Sequence, residues 1–218
     1  MKTLTLTTNL NHPGFKQFEK FYTHFGYDYE VLNPPQSAFG EQMPHLLKWC
    51  ENNQNQKVLY VDAWDTVALA PMMEIKNKTW ADTPTLEAFE FYGGAERGCW
   101  PDANLIDKFP NLEKPYKYLC GGTWVANTNW LLEMAERFPN VDKHNDQHWL
   151  QLVFLKSLAE GRSVYLDNYG HVFQSLMLDP PEAFEIVNGR VRNKLHNTYP
   201  VILHGNGKIC MDKYYSIL

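Results

Sequence analysis

Val58-Leu59-Tyr60-Val61 is the stretch that most narrows what this chain can become. Four apolar, largely β-favouring residues, bounded by polar neighbours and too few for a helix, read as a buried strand. Asp62 and Asp65 follow at its C-terminal end. An open α/β sheet presents its ligand crevice beyond the carboxyl ends of its strands, so two carboxylates there are candidates for holding a metal ion. The same Asp-x-x-Asp step also serves as a turn in which one carboxylate caps the next segment, and both readings are open at this point.

The flanking segments define the class. Residues 1–7 alternate as a strand does, and Pro13 opens a predicted helix with Phe15, Phe18, Tyr22 and Phe25 at helical spacing and Gly26 where a C-terminal cap falls. Residues 29–32 read as a second strand, followed by the Pro34-Pro35 loop and a helix carrying Leu46, Leu47 and Cys50. This alternation predicts parallel strands, because parallel neighbours need crossover connections. Further strands are predicted at residues 88–92, 118–124, 163–167, 172–174, 184–187 and 201–203. Helices are predicted from an N-cap at Thr128 to about Arg137, and from Asp146 through Leu158. Residues 99–115, with Pro101, Pro110 and Pro115, read as a long ordered loop, and loops of that length tend to be functional. The expectation is one α/β domain over residues 1–218, a single Rossmann-like mixed sheet with helices on both faces.

Composition removes several function classes. The 218 residues, 44% of them apolar, suffice for a large core. Lys and Arg number 20 against 25 Asp and Glu, a formal charge of −5 without charged blocks, which argues against a general polyanion binder. Four scattered cysteines with no Cys-x-x-Cys offer neither a zinc knuckle nor a redox pair. No stretch approaches the roughly 20 apolar residues that span a bilayer, and the first residues lack a secretory core, so a cytoplasmic chain with reduced cysteines and no membrane partner is expected. A homodimer stays open. No Gly-x-Gly-x-x-Gly follows the first strand, which disfavours a dinucleotide-binding enzyme.

Six segments recur together in order: Val61-Asp62-Ala63-Trp64-Asp65; Ala95-Glu96 with Cys99-Trp100-Pro101-Asp102; Gly121-Gly122; Asn145-Asp146-Gln147; Leu166-Asp167 with Val172-Phe173-Gln174; and His204-Gly205-Asn206-Gly207. Over nearly its whole length the chain thereby resembles the glycosyltransferase domain of procollagen lysyl hydroxylases and the related collagen glucosyl- and galactosyltransferases. The resemblance implies a GT-A fold, a UDP-sugar donor, Mn²⁺ with Mg²⁺ as the alternative, and Asp62, Asp65 and His204 as the metal ligands. Hard carboxylate oxygens suit an ion that neutralises a diphosphate leaving group, and an imidazole biases the set toward a transition metal. Without the resemblance, His204 reads as a strand-end histidine bonded to backbone.

The remaining candidates each carry two readings. Asn206, Gly207 and Lys208 form a phosphate cradle or an ordinary turn. Thr8 contacts the uridine or closes a local turn. Asp146, with Asn145 before it, lies near the sugar by resemblance and orients the donor or stabilises charge at the anomeric carbon, or else caps a helix. Glu96 and Asp102 are candidates for hydroxyl contacts, Trp100 for stacking on a sugar face or anchoring the loop. Gly121 and Gly122 admit a ligand or a bulky neighbour. Leu119-Cys120 stand where many relatives carry Asn-Ser, Asn145 stands where some carry an acid, and the basic residue that the resemblance implies near Met43 is absent. Those departures bear on the donor sugar more than on the reaction. The function expected is hexosyl transfer, of glucose or galactose with retention, to a hydroxyl on a protein or glycan. The alternatives are transfer to hydroxymethylated bases of phage-type DNA, and a non-catalytic nucleotide-sugar or glycan-binding module.

Overall fold

The computed structural model describes residues 1–34, 42–78, 88–110, 113–139 and 145–218. β1 (Lys2–Leu6) leads into α1 (Pro13–His24), whose first turn is capped by the His12 ring accepting from Gly14 N. The chain leaves α1 through Gly26 at φ 69°, in the left-handed region where the missing Cβ removes the steric penalty. β2 (Tyr29–Leu32), α2 (Gln42–Asn52), β3 (Lys57–Val61), β4 (Thr66–Ala68), α3 (Met72–Asn77) and β5 (Phe91–Glu96) follow. A 3₁₀ segment (Ala103–Lys108) lies within the long proline-rich loop. Then come β6 (Tyr118–Asn127), α4 (Thr128–Arg137), α5 (Asp146–Ala159), β7 (Val164–Asp167), β8 (Phe173–Ser175), β9 (Phe184–Val187), β10 (Arg190–Asn193), β11 (Ile202–His204) and the short α6 (Asp212–Tyr215).

Six strands form the central sheet in the order β2-β1-β3-β6-β5-β7. β1 is parallel to both β2 and β3, as the strand-helix alternation predicts. β6 runs antiparallel to β3 and to β5, so the sheet is mixed. The reason is the connection. No α-helix is described between β5 and β6, and the chain turns back beside the strand it has left instead of crossing over. Besides this sheet there is a three-stranded one, β4-β11-β8, and the two-stranded ribbon β9/β10. β10 was not predicted, although Asn188 (φ 50°) and Gly189 (φ 73°) form the two-residue hairpin turn between β9 and β10. β4, α3 and α6 were also missed, each too short to show a period.

The alternation of β3 divides the core. Leu59 and Val61 join Phe15, Phe18, Phe21 and Tyr22 of α1 and the strands of the small sheet on one face. Val58 and Tyr60 join Trp124 and the inner faces of α2, α4 and α5 on the other. Side chains of a strand alternate between faces, so one five-residue strand seals both layers.

Several boundaries differ from expectation. β5 begins at Phe91, because pairing with β6 and β7 starts there, and runs through the two glycines to Glu96. Those glycines survive in a strand because Cβ atoms on Gly93 and Gly94 would overlap Leu119 Cδ1 and Thr123 Oγ1 of the adjacent strand. The N-cap of α4 is Asn127, which accepts from Asn129 N, while the Thr128 hydroxyl bonds to the backbone of Gln56. The N-cap of α5 is Asn145, accepting from His148 N, and Asp146 is its first residue. Pro35 of the predicted loop and residues 111–112 of the long loop lie outside the described residues.

The N-terminus of α1 presses on the turn after β3: a Cβ on Gly14 would overlap the carbonyl of Trp64. Gly14→Ala should therefore cost about 1–3 kcal/mol, as forced overpacking does, read as a lowered unfolding midpoint in urea at unchanged m.

Candidate metal and donor site

The turn between β3 and β4 is tied at each residue that matters. Asp62 N donates to Gly122 O at 2.9 Å, and the Thr66 hydroxyl donates to Asp62 O at 2.5 Å. From the other side, Gly205 N donates to Asp65 O at 2.8 Å. β11 lies antiparallel to β4 with His204 opposite Thr66, which sets the imidazole beside both acids. His204 Nε2 is 3.4 Å from Asp62 Oδ2 and 3.4 Å from Asp65 Oδ1, and one ligand atom from each residue lies within 4.8 Å of the others. Two carboxylate oxygens and one imidazole nitrogen at that spacing fit a divalent cation with open positions left for a ligand. Gly122 makes the arrangement possible, since a Cβ there would overlap Asp62 Oδ2 and His204 Cε1.

Burial opposes charge on His204 and on Asp65, yet their mutual attraction outweighs it. The imidazole is held well above its usual range by Asp65 and Asp62, and the Asp65 carboxyl is held below its own, burial opposing and His204 prevailing. A cation entering this site takes over a neutralising role that the imidazolium already fills, so ion binding releases a proton.

Behind the trio lies a buried polar chain. Glu96, 2% exposed, accepts from Gln147 Nε2 at 2.7 Å and from Asn206 Nδ2 at 2.5 Å. Gln147 Oε1 in turn accepts from Gly121 N at 3.1 Å. Cys120 Sγ lies 3.3 Å from His204 Nδ1. Asp146 stands at the mouth, its carboxyl pushed up to about 6 by burial and by the charge of Asp62. The Tyr60 hydroxyl donates to Gln42 Oε1 at 2.5 Å and lies 3.2 Å from Asp62 Oδ1.

Residues 1–214 match the family described as the PLOD GT domain. The chain belongs to that family. Curated relatives of the PLOD GT domain include an uncharacterized protein of Acanthamoeba polyphaga mimivirus, 26% identical over 89% of this chain and 43% of the relative. Procollagen-lysine,2-oxoglutarate 5-dioxygenase 1 of Mus musculus is 28% identical over 93% of this chain and 29% of its own length. The multifunctional procollagen lysine hydroxylase and glycosyltransferase LH3 of Rattus norvegicus is 24% identical over 93% and 29%. The chain thus spans less than half the length of these relatives. Among solved structures, a glycosyltransferase involved in glycosylation of the major capsid of PBCV-1 superposes with TM-score 0.56 at 9% identity, covering 99% of this chain and 96% of that one. The galactosyltransferase LgtC, solved with donor and acceptor sugar analogs, gives 0.50 at 15% identity over 95% and 88%. The fold of this PLOD GT domain is therefore GT-A, as the sequence resemblance implied.

The structure gathers six of the fourteen candidates named from the sequence into one site. Asp62, Asp65, His204, Asp146, Gly121 and Gly122 meet at the carboxyl ends of β3 and β11 and the bulged part of β6. Glu96 is turned inward with both oxygens occupied, so it acts through Gln147 and Asn206. Asn206 is committed likewise, its Oδ1 accepting from Leu176 N and Met177 N, while Gly207 and Lys208 stay exposed with positive φ. Asn145 is occupied as the α5 cap, and Asp102 caps the 3₁₀ segment. Trp100 is 45% exposed, and its carbonyl accepts from Gln147 and Gln151. Thr8 is exposed after β1; its neighbour Thr7 instead holds the turn, accepting from Trp64 Nε1 at 2.7 Å. Sequence reasoning missed Gln147, Tyr60 and Cys120 as site residues. Gln147 was within reach, lying inside a quoted motif, whereas nothing in a strand pattern marks a tyrosine that will touch a carboxylate two residues on.

Burial raises the Glu96 carboxyl to about 7 from the usual 4.5, with the Gln147, His204 and Asn206 contacts opposing. The folded chain keeps a proton there that the unfolded chain releases, so this stabilisation is complete below pH 4.5 and lost as pH rises through 7. Relative to Glu96→Gln, the wild type should lose about 3 kcal/mol of stability across that window, measured by urea unfolding at a series of pH values.

Proposed function

We propose that this glycosyltransferase moves a hexose, glucose or galactose, from a UDP-sugar to a hydroxyl acceptor on a protein or glycan, with retention at the anomeric carbon and with dependence on a divalent ion, Mn²⁺ before Mg²⁺. The observation that carries the reading is the convergence of Asp62, Asp65 and His204 beside the half-buried carboxyl of Asp146. An ion bound by the first three supplies Lewis-acid stabilisation of charge developing on the departing diphosphate. Two carboxylates with one imidazole favour manganese over an all-oxygen cation such as calcium. Asp146 holds its carboxyl on the same side of the turn, where it orients the sugar and stabilises positive charge at the reacting carbon. Gln147, fixed by Glu96 and Gly121 N, keeps the start of α5 in place against β6. The exposed ring of Trp100 offers a face for a sugar, and Lys208 an adjustable positive charge for phosphate. The names of the curated relatives, which join lysine hydroxylation to glycosyl transfer, favour a protein hydroxyl as acceptor. The acidic charge balance weighs against DNA, whose phosphates need clustered Lys and Arg.

A panel of UDP-, GDP-, ADP- and TDP-hexoses with and without Mn²⁺ should raise the melting temperature only for a UDP-hexose and only with the ion. Absence of any shift overturns the reading. Asp65→Ala should abolish the shift together with UDP-sugar hydrolysis. Asp146→Asn should keep the shift and lower kcat by about 10²-fold, the usual scale for a lost electrostatic partner of the transition state.

A further inference from the structure

We propose that Cys120 is a positioning residue for the metal centre: its sulfur accepts the Nδ1–H of His204 and thereby presents the Nε2 lone pair to the ion. The inference rests on the metal reading of Asp62, Asp65 and His204 given above. The two ring nitrogens of His204 have separate surroundings. Nε2 faces the carboxylates of Asp62 and Asp65, and Nδ1 faces Cys120 Sγ at 3.3 Å. A neutral imidazole binds metal through one nitrogen and carries its hydrogen on the other, so the group that accepts at Nδ1 selects the tautomer that can bind.

In metal sites that acceptor is almost always a carboxylate, a backbone carbonyl or water. Here it is a thiol, and its setting compensates for the weakness of sulfur as an acceptor. Cys120 is 1% exposed and His204 3%, so water does not compete. Asn206 Nδ2 reaches the same sulfur at 3.9 Å while donating to Glu96 Oε2, which holds the sulfur from a second direction. One strand supplies both requirements of the imidazole: Gly122 vacates the space for its edge and Cys120, two residues earlier, meets its inner nitrogen. The buried chain from Gln147 through Glu96 and Asn206 therefore ends on a metal ligand, linking the start of α5 to the ion.

The competing account is that Cys120 only fills space beneath the ring. Alanine and serine separate the two, because both remove the volume of sulfur and only serine keeps an acceptor. Mn²⁺ titration of the whole chain, followed by the electron paramagnetic resonance of free Mn²⁺, should show Cys120→Ala binding about tenfold more weakly than wild type, with Cys120→Ser within about threefold. Unfolding temperatures of the metal-free proteins are recorded alongside. Equal Mn²⁺ affinities of the alanine and serine variants, whatever their unfolding temperatures, overturn the role of Cys120 and leave the metal reading standing. Failure of the wild type to bind Mn²⁺ overturns the metal reading itself. A check that needs no variant is the ¹⁵N spectrum of wild type with Zn²⁺ as a diamagnetic ion: His204 must carry its hydrogen on Nδ1, and a hydrogen on Nε2 overturns the proposal.

Discussion

The pairing of β11 with β4 is the constraint on which the site depends. It joins residue 204 to residue 66 across 138 positions of sequence and brings an imidazole against two acids that a tight turn has already placed together. Neither acid nor imidazole would be stable there alone. A charge removed from water costs several kcal/mol unless an opposite charge or a set of donors replaces the solvent, and here each group is the other's compensation. The result is a half-buried triad in which one imidazolium faces two carboxylates, leaving negative charge that a divalent ion can neutralise.

Close approach is the second condition, and glycine supplies it. Gly14 lets the start of α1 sit on the Trp64 carbonyl, and Gly122 lets β6 pass against Asp62 and His204. Any side chain at either position would push the turn outward and separate the ligand atoms. Pressure from α1 on one side and β6 on the other holds the Asp62–Asp65 turn, with Thr66 and Gly205 fastening its ends. The fold thus spends little flexible backbone on the site, which is what a preorganised electrostatic environment requires.

Around that centre the polar groups form one connected system. Gln147, Glu96 and Asn206 are bonded in series, and Cys120 joins the series to His204. A half-satisfied network of this kind would be worse than an apolar core, and this one closes on backbone at both ends, at Gly121 N and at Leu176 N and Met177 N. The carboxyl of Glu96, raised by burial to about 7, makes this network sensitive to pH.

The sequence alone determined the alternation of strands and helices through β3, the parallel pairing of β1, β2 and β3, the family resemblance, and the candidate acids at a strand end. These are local properties: period, propensity, turn residues and short motifs are carried by neighbours along the chain. Tertiary structure decided the rest. The reversal of β6, the separate sheet that carries His204, and the inward turn of Glu96 and Asn206 all depend on which distant segment lies alongside, and no spacing in a single chain encodes that partner. Thr8 and Thr7 differ by one position, yet only packing shows that Thr7 holds Trp64. Cys120 gives the sharpest case: in sequence it is a departure before two glycines, and it becomes the neighbour of a metal-ligand candidate only because β6 and β11 meet behind the same turn.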